Sequence, residues 1–156
     1  MLTKLLLAAA LAMSACTSTL YTERGNQITI YAGFGGGVRS IERRYALWQR
    51  QGRELIIDGH VVSADAIEAF SYPGACYTER AIFSPHAYSA GGLYRLRGET
   101  ERAARKLPEP LEQFFRGNMA FYDWIGFAVV DYDQLLEIWP EGACDQSDVE
   151  RVVAAD

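Results

Sequence analysis

The chain has 156 residues, 49% of them hydrophobic and 22% charged, with a formal net charge of −5. That content supports the buried core of one domain. The acidic balance, with no basic patch or stripe, argues against a nucleic-acid partner.

Met1-Leu2-Thr3-Lys4 is a short, positively charged start, and Leu5 to Ala12 is an apolar run too short for a permanent membrane span. Met13-Ser14-Ala15-Cys16 follows. Residues 1–15 therefore read as a secretory signal peptide with a bacterial lipoprotein box, in which Cys16 receives the lipid and becomes the new N-terminus. Ordinary cleavage after Ala12 or Ala15 is the alternative. Export to the cell envelope is expected, with a lipid anchor on the periplasmic face. Thr17 stands where an aspartate retains some lipoproteins at the inner membrane, which favours the outer one. No second segment is long and apolar enough to span, so the domain is expected to be soluble and tethered at most by its N-terminus.

Residues 16–26 are polar and read as a tether, and 27–156 read as one domain. Gln27 to Tyr31 alternates and is rich in β-branched residues, a strand pattern. Gly33 to Gly37 breaks it. Val38 to Gln51 carries Ile41, Tyr45, Leu47 and Trp48 among charges, a helix that Gly52 stops. Glu54 to Ile57 is a second, nearly all-apolar strand, as burial of both faces requires. Gly59 to Val62 reads as a turn, and Ser63 to Phe70 as a helix whose apolar face is Ala64, Ala66, Ile67 and Phe70. Ala81 to Phe83 is a third strand. Gly91-Gly92 makes a turn, and helices follow at Glu99 to Lys106, Pro110 to Arg116 and Asp131 to Trp139. Strand–helix–strand–helix–strand predicts parallel strands with right-handed crossovers.

With Cys16 lipidated, Cys76 and Cys144 remain, and in an oxidising compartment they are expected to pair. Two buried thiols are the alternative. His60 and His86 are the two histidines. They lie near one sheet edge, which leaves a two-histidine metal site as an alternative. No third ligand with sensible spacing is visible, and neither cysteine has a close cysteine or histidine partner in sequence, so no metal is expected. No cofactor is called for.

In an open α/β sheet, ligands bind beyond the carboxyl ends of the strands. Gly35-Gly36-Gly37, Ser63 and His86 each follow such an end. A glycine turn can offer N–H groups to an oxyanion, a serine can attack a carbonyl, and a histidine can take its proton. Each also has a plainer reading: a positive-φ turn, a helix N-cap and an ordinary histidine. Asp65, two residues after Ser63, brings a charge expected to disfavour an oxyanion. The aromatic group Phe114, Phe115, Phe121, Tyr122, Trp124 and Phe127 reads as core, or as the lining of a substrate groove or partner interface.

These motifs resemble the Clp protease proteolytic-subunit and crotonase-like superfamily, in particular its small exported bacterial relatives. The matching residues are Gly35-Gly36-Gly37-Val38 with the helix after it, Gly59-His60-Val61-Val62-Ser63 opening a helix, and Ile82-Phe83-Ser84-Pro85-His86. Gly33-Phe34 replaces the family's Ser-Pro. The resemblance implies an α/β fold with a repeated β-β-α-type core of parallel strands and a mostly helical C-terminal half. It implies Ser63 as nucleophile, His86 as general base and the Gly36 and Ala64 amides as oxyanion hole. A third triad member from the helical half would be Asp123, with Asp131 and Asp133 as alternatives. Homo-oligomers form through that half in the family. The expected function is an exported serine hydrolase of peptidase type, acting on a peptide or ester. The alternatives are an inactive envelope protein of the same fold, acting in binding or assembly, and a structural lipoprotein of another fold.

Overall fold

The computed structural model of the protein describes residues 19–90, 94–118, 128–145 and 147. It is a mixed α/β structure whose five-stranded sheet is mostly parallel. The strands are β1 (Thr19–Arg24), β2 (Gln27–Gly33), β3 (Glu54–Val62), β4 (Cys76–Tyr77) and β5 (Ile82–Ser84). β2, β4 and β5 all run parallel to β3, and β1 runs antiparallel to β2 at the edge. The helices are α1 (Val38–Arg50), α2 (Ser63–Phe70), α3 (Arg97–Ala104), α4 (Glu109–Asn118) and α5 (Tyr132–Ile138). A short antiparallel pair, β6 (Ser89–Ala90) and β7 (Tyr94–Arg95), precedes α3.

α1 forms where the sequence predicts it. Ile41, Tyr45 and Trp48 recur at helical spacing and are buried. Gly52 ends it with φ +67, a conformation only glycine adopts freely. The Gly52 N–H donates to Gln49 O and the Arg53 N–H to Trp48 O, which satisfies two of the carbonyls in the last helical turn. Ile28, Ile30, Leu55, Ile57 and Val61 then form the sheet side of one core with α1 and α2.

Two segments differ from the sequence reading. Thr19–Arg24, expected within the tether, is a strand, because an exposed edge strand needs only backbone pairing and carries no apolar run. Gly59–Val62, expected as a turn, continues β3. The register shifts between Ile30 and Ala32, so Tyr31 faces both Asp58 and Gly59. A Cβ on Gly59 would lie 1.8 Å from Tyr31 O. This glycine therefore serves a close approach of two strands rather than a reversal of the chain.

β4 and β5 lie one after the other along β3. Ile56 and Ile57 pair with Cys76 and Tyr77, and His60, Val61 and Val62 pair with Ile82, Phe83 and Ser84. Asp58 fills the interval. It is buried, accepts from Thr78 Oγ1 and receives Arg80 through Nε (3.1 Å) and a second guanidinium nitrogen. The predicted Cys76–Cys144 disulfide is present, with Cα atoms 4.8 Å apart. It fixes the C-terminal segment to β4, where Cys144 N–H also donates to Tyr77 O. Phe115 belongs to the core and Phe114 packs on it in half-buried form. Phe121, Tyr122, Trp124 and Phe127 lie outside the described residues, as do Gly91 and Gly92.

Candidate functional site

The parallel ladder brings the glycine turn, Ser63 and His86 to the same end of the sheet. Gly33 pairs with Val61, and Val62 pairs with Ser84. Ser63 follows Val62 by one residue, and His86 follows Ser84 by two. Neighbouring strands stand about 4.8 Å apart, so these residues leave the sheet side by side.

Ser63 does not cap its helix. Val62 is the N-cap, Ser63 is the first helical residue, and no side-chain cap bond forms. The expected cap role is thus corrected, because the backbone turns too sharply for it. Ser63 has φ +61 and is the one non-glycine residue with positive φ among those described. Such a conformation costs on the order of 1–3 kcal/mol and persists only where the surroundings impose it. A strained strand-to-helix turn is also how a nucleophilic hydroxyl is presented at the end of an α/β sheet.

What imposes it is the glycine turn. Gly35 has φ +75 and Gly36 φ +130. A Cβ on Gly35 would stand 2.6 Å from Ser63 Cβ and 3.1 Å from Ser63 Oγ. One on Gly33 would stand 2.9 Å from Asp65 Cβ. Both glycines are needed so that the turn can lie against the start of α2.

Asp65 locks this contact. Its side chain is fully buried and meets Arg44 at 2.6 Å. It accepts from Thr19 Oγ1 (2.9 Å), Tyr45 OH (3.2 Å) and the Gly35 N–H (3.3 Å). The expected conflict between Asp65 and an oxyanion is therefore relieved, since its charge is matched by Arg44 and its oxygens are occupied. With the Gly35 N–H taken, the next amide in the turn is that of Gly36, which has no acceptor among the described residues. Ala64 is the second residue of α2, so the helix supplies no acceptor for its N–H. Burial pushes the Tyr45 phenol well above its ordinary pKa, and the neighbouring Asp65 adds to this.

His86 is half-buried, with Nδ1 2.6 Å from Ala87 O. No hydrogen bond joins it to Ser63. His60 instead pairs with a different serine: Nε2 lies 2.7 Å from Ser84 Oγ. Ser84 is buried and His60 exposed. Of the candidate acids, Asp123 lies outside the described residues. Asp131 is the N-cap of α5, accepting from Gln134 N–H while Gln134 Oε1 accepts from Asp131 N–H. Asp131 and exposed Asp133 both line an open depression of about 700 Å³ with Glu79, Arg80 and Tyr132, which neither Ser63 nor His86 lines. Cys16 also lies outside the described residues.

The sequence reading missed the Asp65 hub and the Ser84–His60 pair. Arg44 was visible as a cation on the helix carrying Ile41, Tyr45 and Trp48, but its partners lie 21 and 25 residues away. Among the described residues no group of three or more His, Cys, Asp or Glu side chains is placed to hold a metal. No described helix is long and apolar enough to cross a membrane. No family model, no curated protein and no solved structure matches the chain.

Proposed function

We propose that the protein is an exported serine hydrolase of peptidase type with a Clp/crotonase-like fold. The observation that carries this reading is the positive φ of Ser63 at the junction of β3 and α2, against the glycine turn. Ser63 Oγ attacks the carbonyl carbon of a peptide or ester while His86 takes its proton. The Gly36 and Ala64 amides hold the resulting oxyanion. Collapse of the tetrahedral species expels the amine or alcohol, which takes the proton from His86. Water then hydrolyses the acyl-serine, with His86 again as base. A fluorophosphonate probe tests the reading: it labels the wild type and fails on Ser63→Ala and His86→Ala. Labelling that survives Ser63→Ala contradicts it.

The missing Ser63–His86 hydrogen bond favours one second reading, an envelope protein of the same fold that binds or assembles without catalysis. Catalytic hydrogen bonds are often long in the free enzyme and tighten with substrate, which keeps hydrolysis first.

The Cys76–Cys144 disulfide is the kind of bond an oxidising compartment maintains. The sequence of residues 1–16 carries the rest of the reading: export through residues 1–15 and a lipid on Cys16. Radiolabelled palmitate incorporation tests the anchor. It is lost in Cys16→Ser on this reading, and its survival there contradicts it.

A further inference from the structure

We infer that Thr100, acting through the Ala87–Tyr88 peptide, is the positioning residue that orients His86 and leaves Nε2 as its basic nitrogen. The inference rests on the hydrolase reading. His86 Nδ1 stands 2.6 Å from Ala87 O. A carbonyl oxygen only accepts, so in the neutral form of the ring the hydrogen lies on Nδ1 and the lone pair on Nε2. This is the tautomer that the third member of a serine triad enforces.

The direction of that carbonyl is itself fixed. A trans peptide is planar, with its N–H and C=O on opposite sides. The N–H of the same peptide, on Tyr88, donates to Thr100 Oγ1 at 2.9 Å. Thr100 is buried, and its hydroxyl donates in turn to Leu96 O at 2.9 Å. Tyr88 O accepts from Leu96 N–H at 2.8 Å, and the Tyr88 side chain is buried. With the N–H held toward α3, the carbonyl of Ala87 must face the other way, where the imidazole meets it.

The test reads the His86 tautomer by nitrogen-15 NMR and the rate of fluorophosphonate labelling, in the wild type, Thr100→Val and Thr100→Ser. The wild type shows hydrogen on Nδ1. Thr100→Val, similar in shape but without the acceptor, shifts the ring toward the Nε2–H form and slows labelling, within the roughly 10²–10⁴-fold that a general base supplies. Thr100→Ser restores both, which separates orientation from folding. A wild-type ring with hydrogen on Nε2 overturns the inference, whatever the probe does. So does a Thr100→Val protein with wild-type tautomer and rate. Failure of the hydrolase reading is distinguishable: Ser63 is then unlabelled in the wild type, while the ring signature still responds to Thr100→Val.

Discussion

Gly35 lies so close to Ser63 that a methyl group on it would stand 2.6 Å from the serine Cβ. The contact makes the glycine turn and the strained serine one unit, since neither can keep its conformation if the other moves. Gly35→Ala must both displace Ser63 and hold alanine at φ +75. It is expected to lose about 1–3 kcal/mol in urea unfolding, the range for forced overpacking and for a strained backbone. Probe labelling falls with it. Gly117→Ala is the control. Nothing lies within 4 Å of a Cβ there, and the site is helical. That variant is expected to gain roughly 0.5–1 kcal/mol.

Asp65 gathers Thr19 from the edge strand, Arg44 and Tyr45 from α1 and Gly35 from the turn. Removing one partner of a buried ion pair strands the other charge. Asp65→Ala is expected to cost about 3–5 kcal/mol by chemical denaturation. A loss below about 1 kcal/mol would remove Asp65 as the lock of the site, being the scale of an exposed pair.

The Cys76–Cys144 bridge closes a separation of 68 residues. The chain-entropy relation gives roughly 4 kcal/mol for a loop of that size. A Cys76→Ser/Cys144→Ser protein is expected to show that loss in urea unfolding. A reductant should lower the wild-type melting temperature and leave the double variant unchanged.

Glu68 is buried on α2 and pairs with Lys106 at 2.6 Å, while Glu42 meets the same lysine at 2.9 Å. Burial raises the Glu68 pKa, against the opposing pull of Lys106. Burial alone would lower that of Lys106, but its hydrogen bonds to Glu68 and Glu42 outweigh this and raise it. For Glu68 the folded pKa exceeds the unfolded one. Its contribution is full below the ordinary carboxyl range and is lost as pH rises through the raised value. The Lys106 contribution persists to alkaline pH and is lost above the ordinary lysine range. The stability of the wild type relative to Glu68→Gln should therefore fall as pH rises from about 4.3, the ordinary glutamate pKa. Melting temperatures of both proteins across the acidic and neutral range check the sign.

What could be read in advance was local. Gly52 ended α1 and Ser63 opened α2 because stop signals and helix periodicity act within a few residues. The disulfide was readable by counting, as only two cysteines remained once Cys16 was set aside. Long-range contacts escaped. β1 gave no apolar pattern, Gly59 looked like punctuation although Tyr31 O lies against it, and Asp65 read only as a charge beside Ser63 although its hydroxyl partner Thr19 is 46 residues away. The Ser63 and His86 positions were found from motif order, while the carbonyl against His86 depends on the orientation of one peptide plane, which no residue pattern encodes.

The most direct measurement is residue-level mass spectrometry of the protein after reaction with a fluorophosphonate. The account predicts one adduct per chain, on Ser63, lost in His86→Ala and reduced in Gly35→Ala. A folded wild-type protein that carries no adduct on Ser63 would contradict it.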